Sequence, residues 1–157
     1  MSIIAVVTLS SFVKAEAYAW IPWGLQIMQM AYGNNYSIAL RKGGTVIGWG
    51  NNDHGQLGAG DLGNDVLISE ENPLEMKTSA GVLDRVINIA SYNDVTYALR
   101  SDGTVWSAGN QSASTGLATQ VEGFSDIESL STDQGELLFQ KAGKKFYRLN
   151  RQWLVIN

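Results

Sequence analysis

The chain contains no cysteine and one histidine, His54. The missing thiols exclude disulfides, thiolate nucleophiles and thiolate-bound zinc. They leave the cellular compartment open, since secreted proteins can also lack cysteine. A single histidine cannot supply a His-based metal cluster or a pair of imidazoles for acid–base work. Proline is scarce, with 2 residues in 157, and charge of either sign is thinly spread. There are 11 Lys and Arg against 15 Asp and Glu, for a formal net charge of −4, and Lys144-Lys145 is the one adjacent lysine pair. No basic stripe of the kind that tracks a phosphate backbone is visible, so no nucleic-acid partner is expected. The apolar run from Ile3 to Val13 covers eleven residues. A membrane-spanning helix needs about twenty, so no transmembrane segment is expected.

Glycine, by contrast, is plentiful: 17 residues in a chain that is 45% hydrophobic. That load, without a collagen-like period, points to turns between many short strands. The stretch from Ala31 to Asp61 organises the rest. Tyr36, Ile38 and Leu40 alternate with smaller residues, as a half-buried strand requires. Gly43-Gly44 predicts a two-residue hairpin turn. Thr45-Val46-Ile47-Gly48-Trp49 resumes a β-branched and aromatic run, and a glycine-rich loop follows from Gly50 to Gly60.

This stretch resembles the repeat of the RCC1 (regulator of chromosome condensation) family, whose pattern is roughly GxxHSxALxxDGxVxxWGxNxxGQLGxG. Gly33, Ser37, Ala39, Leu40, Gly44, Val46, Trp49, Gly50, Asn51, Gly55, Gln56, Leu57, Gly58 and Gly60 match it, while Tyr36 replaces the usual histidine. The resemblance implies four-stranded β-propeller blades. It predicts an all-β fold, a partial β-propeller forming an arc of about three antiparallel blades. Full family propellers typically close a ring of seven.

Two weaker copies follow. The second runs from Ile89 through Leu99, Asp102-Gly103 and Trp106 to Gly109-Asn110. In it the glycine-rich loop has decayed to Gln111–Leu117, and Trp106 is matched with Trp49. In the third, Asp126–Leu130 is aligned with Val86–Ala90, Gly143 with Gly103, and Phe146 with Trp106. Ile27–Ala31 is the lead strand of the first copy. Fourth strands are expected at Asn72–Lys77, Thr119–Glu122 and Gln152–Ile156. The expected division is an N-terminal segment over 1–24 and a repeat domain over 25–157, with blades near 25–80, 81–123 and 124–157.

The N-terminus admits two readings. The apolar run followed by Lys14 and the alternating alanines Ala15, Ala17 and Ala19 suits a signal peptide ending at residue 17 or 19, which would make the protein secreted or periplasmic. Its β-branched residues equally suit a strand that caps the arc.

No catalytic constellation emerges from the sequence. No G-x-S-x-G elbow and no G-K-[ST] step accompany the glycine run. His54 reads as a surface loop residue. Asn51, Asn52, Asp53, Asp61, Asn64 and Asp65 are oxygen-rich but lack the spacing of a calcium loop, and turn formation explains them. The expectation is a non-enzymatic protein-interaction module without cofactor or metal, binding another protein or further copies of itself. The alternatives are a structural subunit that completes a larger propeller-like assembly and, behind it, an enzyme-associated or metal-binding domain. Candidate binding residues lie in the acidic excursion from Asp61 to Gly81, namely Asp61, Asp65, Glu70 and Glu71. Trp20 and Trp23, flanking Pro22, join them as large aromatics outside any clear copy.

Overall fold

A computed structural model describes residues 26–62, 67–110, 115–133, 136–141, 143–149 and 152–156. Ile3–Val13, Trp20, Trp23 and Asp65 lie outside the described residues. Among the described residues all regular structure is strand, and it forms three four-stranded antiparallel sheets. The first blade is β1 (Ile27–Gly33), β2 (Tyr36–Arg41), β3 (Val46–Gly50) and β4 (Leu74–Glu75). A short hairpin, β5 (Lys77–Thr78) and β6 (Gly81–Val82), separates it from the second. The second blade is β7 (Val86–Tyr92), β8 (Val95–Arg100), β9 (Val105–Gly109) and β10 (Thr119–Gln120). The third is β11 (Ser129–Asp133), β12 (Glu136–Lys141), β13 (Lys144–Leu149) and β14 (Gln152–Ile156). Each sheet is a meander in chain order, so the chain is an all-β partial propeller. The expected fourth-strand stretches each contain the strand that completes a blade.

The blades stack face to face because period-2 alternation gives each central strand two buried faces. On β8, Ala98 packs toward the first blade, while Val95, Tyr97 and Leu99 pack toward the third. The first interface joins Tyr36, Ile38, Leu40 and Val46 to Val86, Ile89, Ala98 and Ala108. The second joins Ala90, Val95, Tyr97, Leu99 and Val105 to Ile127, Leu130, Leu137 and Phe139.

The hairpin turns dock each blade on the next. Val86 N donates to Gly44 O at 2.9 Å, and Ile127 N donates to Gly103 O at 3.1 Å. Just before these donors, Arg85 and Asp126 both adopt left-handed backbone, at φ 56° and 58°. A Cβ on Gly103 would lie 2.8 Å from Asp126 Cα, so close backbone approach requires glycine there.

The structure corrects three local expectations. The Gly43-Gly44 turn has three residues, not two: Arg41 N donates to Thr45 O at 2.9 Å, and Gly44 alone is left-handed, at φ 79°. This is a type of hairpin in which one residue at positive φ ends the loop, and Ser101-Asp102-Gly103 repeats it. Trp49 and Trp106 are not register equivalents. Trp49 pairs with Ser37 and Trp106 with Ala98, so Ile47, opposite Ala39, holds the place of Trp106. Alternation still puts both tryptophans on the same face of their blades. In the third copy Ile127, not Asp126, matches Val86, because Ile127 makes the bond to the preceding turn. A one-residue slip would have turned every side chain to the wrong face.

Candidate functional site

The glycine-rich loop after β3 is folded onto the second blade and its polar groups are occupied. Asn52 is fully buried. Its Oδ1 accepts from Leu57 N at 2.9 Å and its Nδ2 donates to Asp61 O at 2.7 Å. Gln56 is buried as well; Oε1 accepts from His54 N at 2.9 Å, and Nε2 donates to Asn51 Oδ1 at 2.8 Å. Asn51 also donates to Asp53 Oδ2 at 2.8 Å. Thr96 of β8 closes the arrangement by donating to Gln56 O at 2.7 Å. Left-handed glycines let the loop approach so closely. A Cβ on Gly58 would meet Ala108 Cβ at 2.9 Å. The loop is therefore an inter-blade clamp with its hydrogen bonds spent inward.

Tyr36, which replaces the family histidine, has its hydroxyl 3.3 Å from Thr96 Oγ1. Burial raises its pKa above the ordinary tyrosine value, and the Thr96 and Ser91 hydroxyls beside it partly offset that. His54 is exposed. Among the described residues no group of three or more His, Cys, Asp or Glu is placed to hold a metal ion.

The acidic excursion has two parts. One part is structural, at Ile68 and Met76: Ile68 and Gly50 exchange backbone bonds of 2.8 and 2.9 Å, and Met76 is buried beneath β3 and the loop. The remainder reaches solvent. Asp61, Glu70 and Glu71 all carry exposed side chains. Glu70 and Glu71 share the turn before β4, in which Asn72 N donates to Ser69 O at 3.1 Å. Asp61 belongs to a different turn, where its backbone presses against Gly116 of the second blade. Sequence reasoning missed three exposed apolar side chains in or beside the excursion, Leu62, Leu67 and Val82, at 42, 67 and 43%. Leucines in an acidic loop with no strand alternation around them were the available signal.

Within the first blade Arg41 pairs with Glu75; beside the connections that lead into the second and third blades, Arg100 pairs with Asp84 and Lys141 with Asp126. Hydrogen bonding from Arg100 holds the Asp84 carboxyl below its ordinary pKa, and Lys141 does the same for Asp126. The Thr104 hydroxyl does so for Asp102. Arg100 also lies over the Trp106 ring, 5.8 Å from its centroid.

The three lead strands β1, β7 and β11 line a groove of about 360 Å³. Gln29 bridges β1 to β7: its Nε2 donates to Ile89 O at 2.8 Å and its Oε1 accepts from Ile89 N at 2.9 Å. Asn88 repeats the bridge one blade on, accepting from Leu130 N at 3.2 Å.

Comparison with known proteins agrees with this architecture. Residues 28–56 and 43–99 match two family models, both described as regulator of chromosome condensation (RCC1) repeat. The RCC1 domain-containing mitochondrial protein RUG3 of Arabidopsis thaliana is 34% identical over 87 residues, 55% of this chain and 18% of that protein. The ultraviolet-B receptor UVR8 of the same plant is 33% identical over 86 residues, again 55% of this chain and 18% of the relative. The human probable E3 ubiquitin-protein ligase HERC6 is 33% identical over 89 residues, 57% of this chain and 8% of the relative. The chain thus spans less than a fifth of the length of these relatives. Among solved structures, human WBSCR16 superposes with a TM-score of 0.64 at 23% identity, over 81% of this chain and 34% of that one. Yeast RCC1 (Prp20), in its complex with Kap60, superposes with a TM-score of 0.59 at 19% identity, over 77% of this chain and 31% of that one. Those structural likenesses speak for the fold alone. With two repeat matches that together span residues 28–99 and an RCC1 domain-containing relative, this chain carries repeats of the RCC1 family.

Proposed function

We propose that the chain is a non-enzymatic protein-interaction module that binds through the loops at its blade edges. The observation that carries this reading is the division between spent and free side chains. The glycine-rich loop turns Asn52 and Gln56 inward, whereas the excursion and its flank leave Leu62, Leu67 and Val82 exposed along with Asp61, Glu70 and Glu71. Apolar side chains supply burial on binding, and acidic ones steer a basic partner surface into register. We propose Trp20, Trp23 and Asp65 as further binding residues. We take the repeat domain to span 25–157, with blades near 25–80, 81–123 and 124–157. Yeast RCC1 (Prp20) has been crystallised bound to Kap60, and its binding to Gsp1p and histones has been characterised. By analogy, the partner of this chain is a protein.

The test is affinity capture with the wild type and with a Leu67→Ser, Glu70→Lys, Glu71→Lys variant, the captured proteins being identified by mass spectrometry. All three residues are exposed, so the melting temperature should stay within a degree or two. The reading predicts a protein retained by the wild type and lost from the variant. Identical sets from both would contradict it.

A second reading has its own support: the chain is a subunit that completes a larger homo- or hetero-oligomeric propeller-like assembly. The face of the first blade that points away from the second carries Tyr32 at 58% exposure, with Met30 and Trp49 half-buried. Mass in solution tests it, since a strictly monomeric species with no co-purifying chain would exclude it.

A further inference from the structure

The lead strands of neighbouring blades leave one level of their joint unbonded. On β7, Ile89 N–H and C=O are both taken by the Gln29 amide of β1. Beyond the end of β7, the Asn93 carbonyl accepts from Asn34 N at 3.3 Å. Ser91 lies between these two bonds. Its backbone groups share the strand edge of Ile89, because in an antiparallel pair every second residue points its N–H and C=O away from the partner strand. Among the described residues, no group of the first blade bonds to them. The side chain is in the same situation: Ser91 is 9% exposed, and its Oγ, beside the Tyr36 hydroxyl, makes no hydrogen bond.

Ala31 accounts for the gap. It stands two residues beyond Gln29 on β1, level with Ser91 as Gln29 is level with Ile89, and a methyl group cannot bridge. The second joint repeats the step. Asn88 of β7 bonds Leu130 N of β11, and two residues on, Ala90 stands level with Thr132. Ala31, Ala90, Ser91 and Thr132 all line the groove of about 360 Å³. No charged residue lines it, and no residue of the acidic excursion contributes to it. Its walls are three strands of this chain.

We propose that this groove is a binding site for the carboxamide side chains of a partner polypeptide, with an Asn or Gln entering beside Ser91 and beside Thr132. The Gln29 amide on Ile89 is the pattern for the contact. A primary carboxamide presents an acceptor and a donor along one edge, which matches the N–H and C=O of a single strand residue. A carboxylate offers acceptors only and leaves the C=O unpaired. A trans peptide bond points its donor and acceptor to opposite sides, so backbone alone does not reproduce the match. An aliphatic side chain would leave all three polar groups of Ser91 buried and unbonded. The site is separate from the exposed excursion and stands whether or not the excursion binds a partner.

The test is an amide NMR titration of the whole chain with N-acetyl-glutamine methylamide, compared with the glutamate and alanine analogues. The glutamine probe should give saturable shifts at the Ser91 and Thr132 amides, with half-saturation in the millimolar range. The other two analogues should bind about tenfold more weakly, the cost of one buried group left unpaired. Ala31→Gln supplies a carboxamide to Ser91 from within the chain. It should abolish the probe's shift at Ser91 and leave the shift at Thr132 unchanged. If Ala31→Gln fails its circular dichroism check, the three analogues on the wild type decide the matter by themselves. Absence of a saturable shift at both amides overturns the proposal. So does equal binding of the alanine analogue, which would mean that the groove reads backbone, or of the glutamate analogue, which would mean that it reads an anion. A Ser91 shift that survives in folded Ala31→Gln overturns it too.

Discussion

Between the first and second blades the buried surface is closed by a hydrogen-bonded loop; between the second and third, aliphatic residues surround a cluster of aromatic rings. At the first interface Ala98, Ala108 and Ala118 leave room for the glycine-rich loop, and buried Asn52, Gln56 and Thr96 tie it down. At the second, Phe139 packs edge-on against both Tyr97 and Phe124, with ring centroids 6.0 and 5.1 Å apart. One repeat pattern thus supports two kinds of adhesion. Where the loop motif has decayed, in Gln111–Leu117, large rings supply the contact area. Polar closure fixes geometry through directional bonds, while aromatic closure depends on volume, so the two interfaces should fail in different ways.

The largest effect should come from Phe139→Ala, which empties the centre of the aromatic interface. A buried Phe truncation costs about 3–5 kcal/mol, and denaturant unfolding should show that loss. Gly103→Ala should follow at about 2–4 kcal/mol, combining left-handed strain with overpacking against Asp126. Gly143 is also left-handed, at φ 75°, but a Cβ there meets nothing within 4 Å. Gly143→Ala should therefore cost only about 1–2 kcal/mol, and the difference between the two melts isolates the inter-blade contact.

At the first interface, Asn52→Ala removes two hydrogen bonds and leaves Leu57 N–H buried without a partner. About 2–3 kcal/mol should be lost, and cavity-filling Asn52→Leu should not restore it, in contrast to Phe139→Leu at the other interface. The smallest effect is on pH dependence. Asp84, Asp102 and Asp126 have depressed pKa values, so their contribution is present above the ordinary carboxylate pKa of about 4 and fades as pH falls below it. All three are exposed, and a shallow decline of the melting temperature between about pH 4 and 2 is the expected record. Salt should weaken it.

These contrasts also mark what could be read from the residues alone. The first hairpin was legible because glycine and alternating apolar residues leave few alternatives, and the loop because its glycines follow a fixed pattern. The third copy was legible as a blade but not in register: Asp126 and Ile127 differ by one position, and only the bond to Gly103 O distinguishes them. The tryptophans misled because spacing from a turn does not define register when Trp49 stands five residues past Gly44 and Trp106 three past Gly103. The aromatic interface was invisible, since Phe124, Tyr97 and Phe139 belong to three separate stretches that only the fold brings together. In the candidate site, the acidic turn stood out by charge. Leu62, Leu67 and Val82 did not, because exposure is a property of what fails to cover a residue.

Amide hydrogen exchange tests most directly whether the glycine-rich loop is part of the fold or a free binding loop. Leu57 N–H is bonded to the buried Asn52 side chain and Gly60 N–H to Gly116 O at 3.0 Å, although neither lies in a named strand. The account predicts that both amides exchange as slowly as that of Ala98 in the centre of β8, and that Asn52→Ala releases Leu57 selectively. Exchange of Leu57 and Gly60 at the rate of an unprotected loop in the wild-type protein would contradict it.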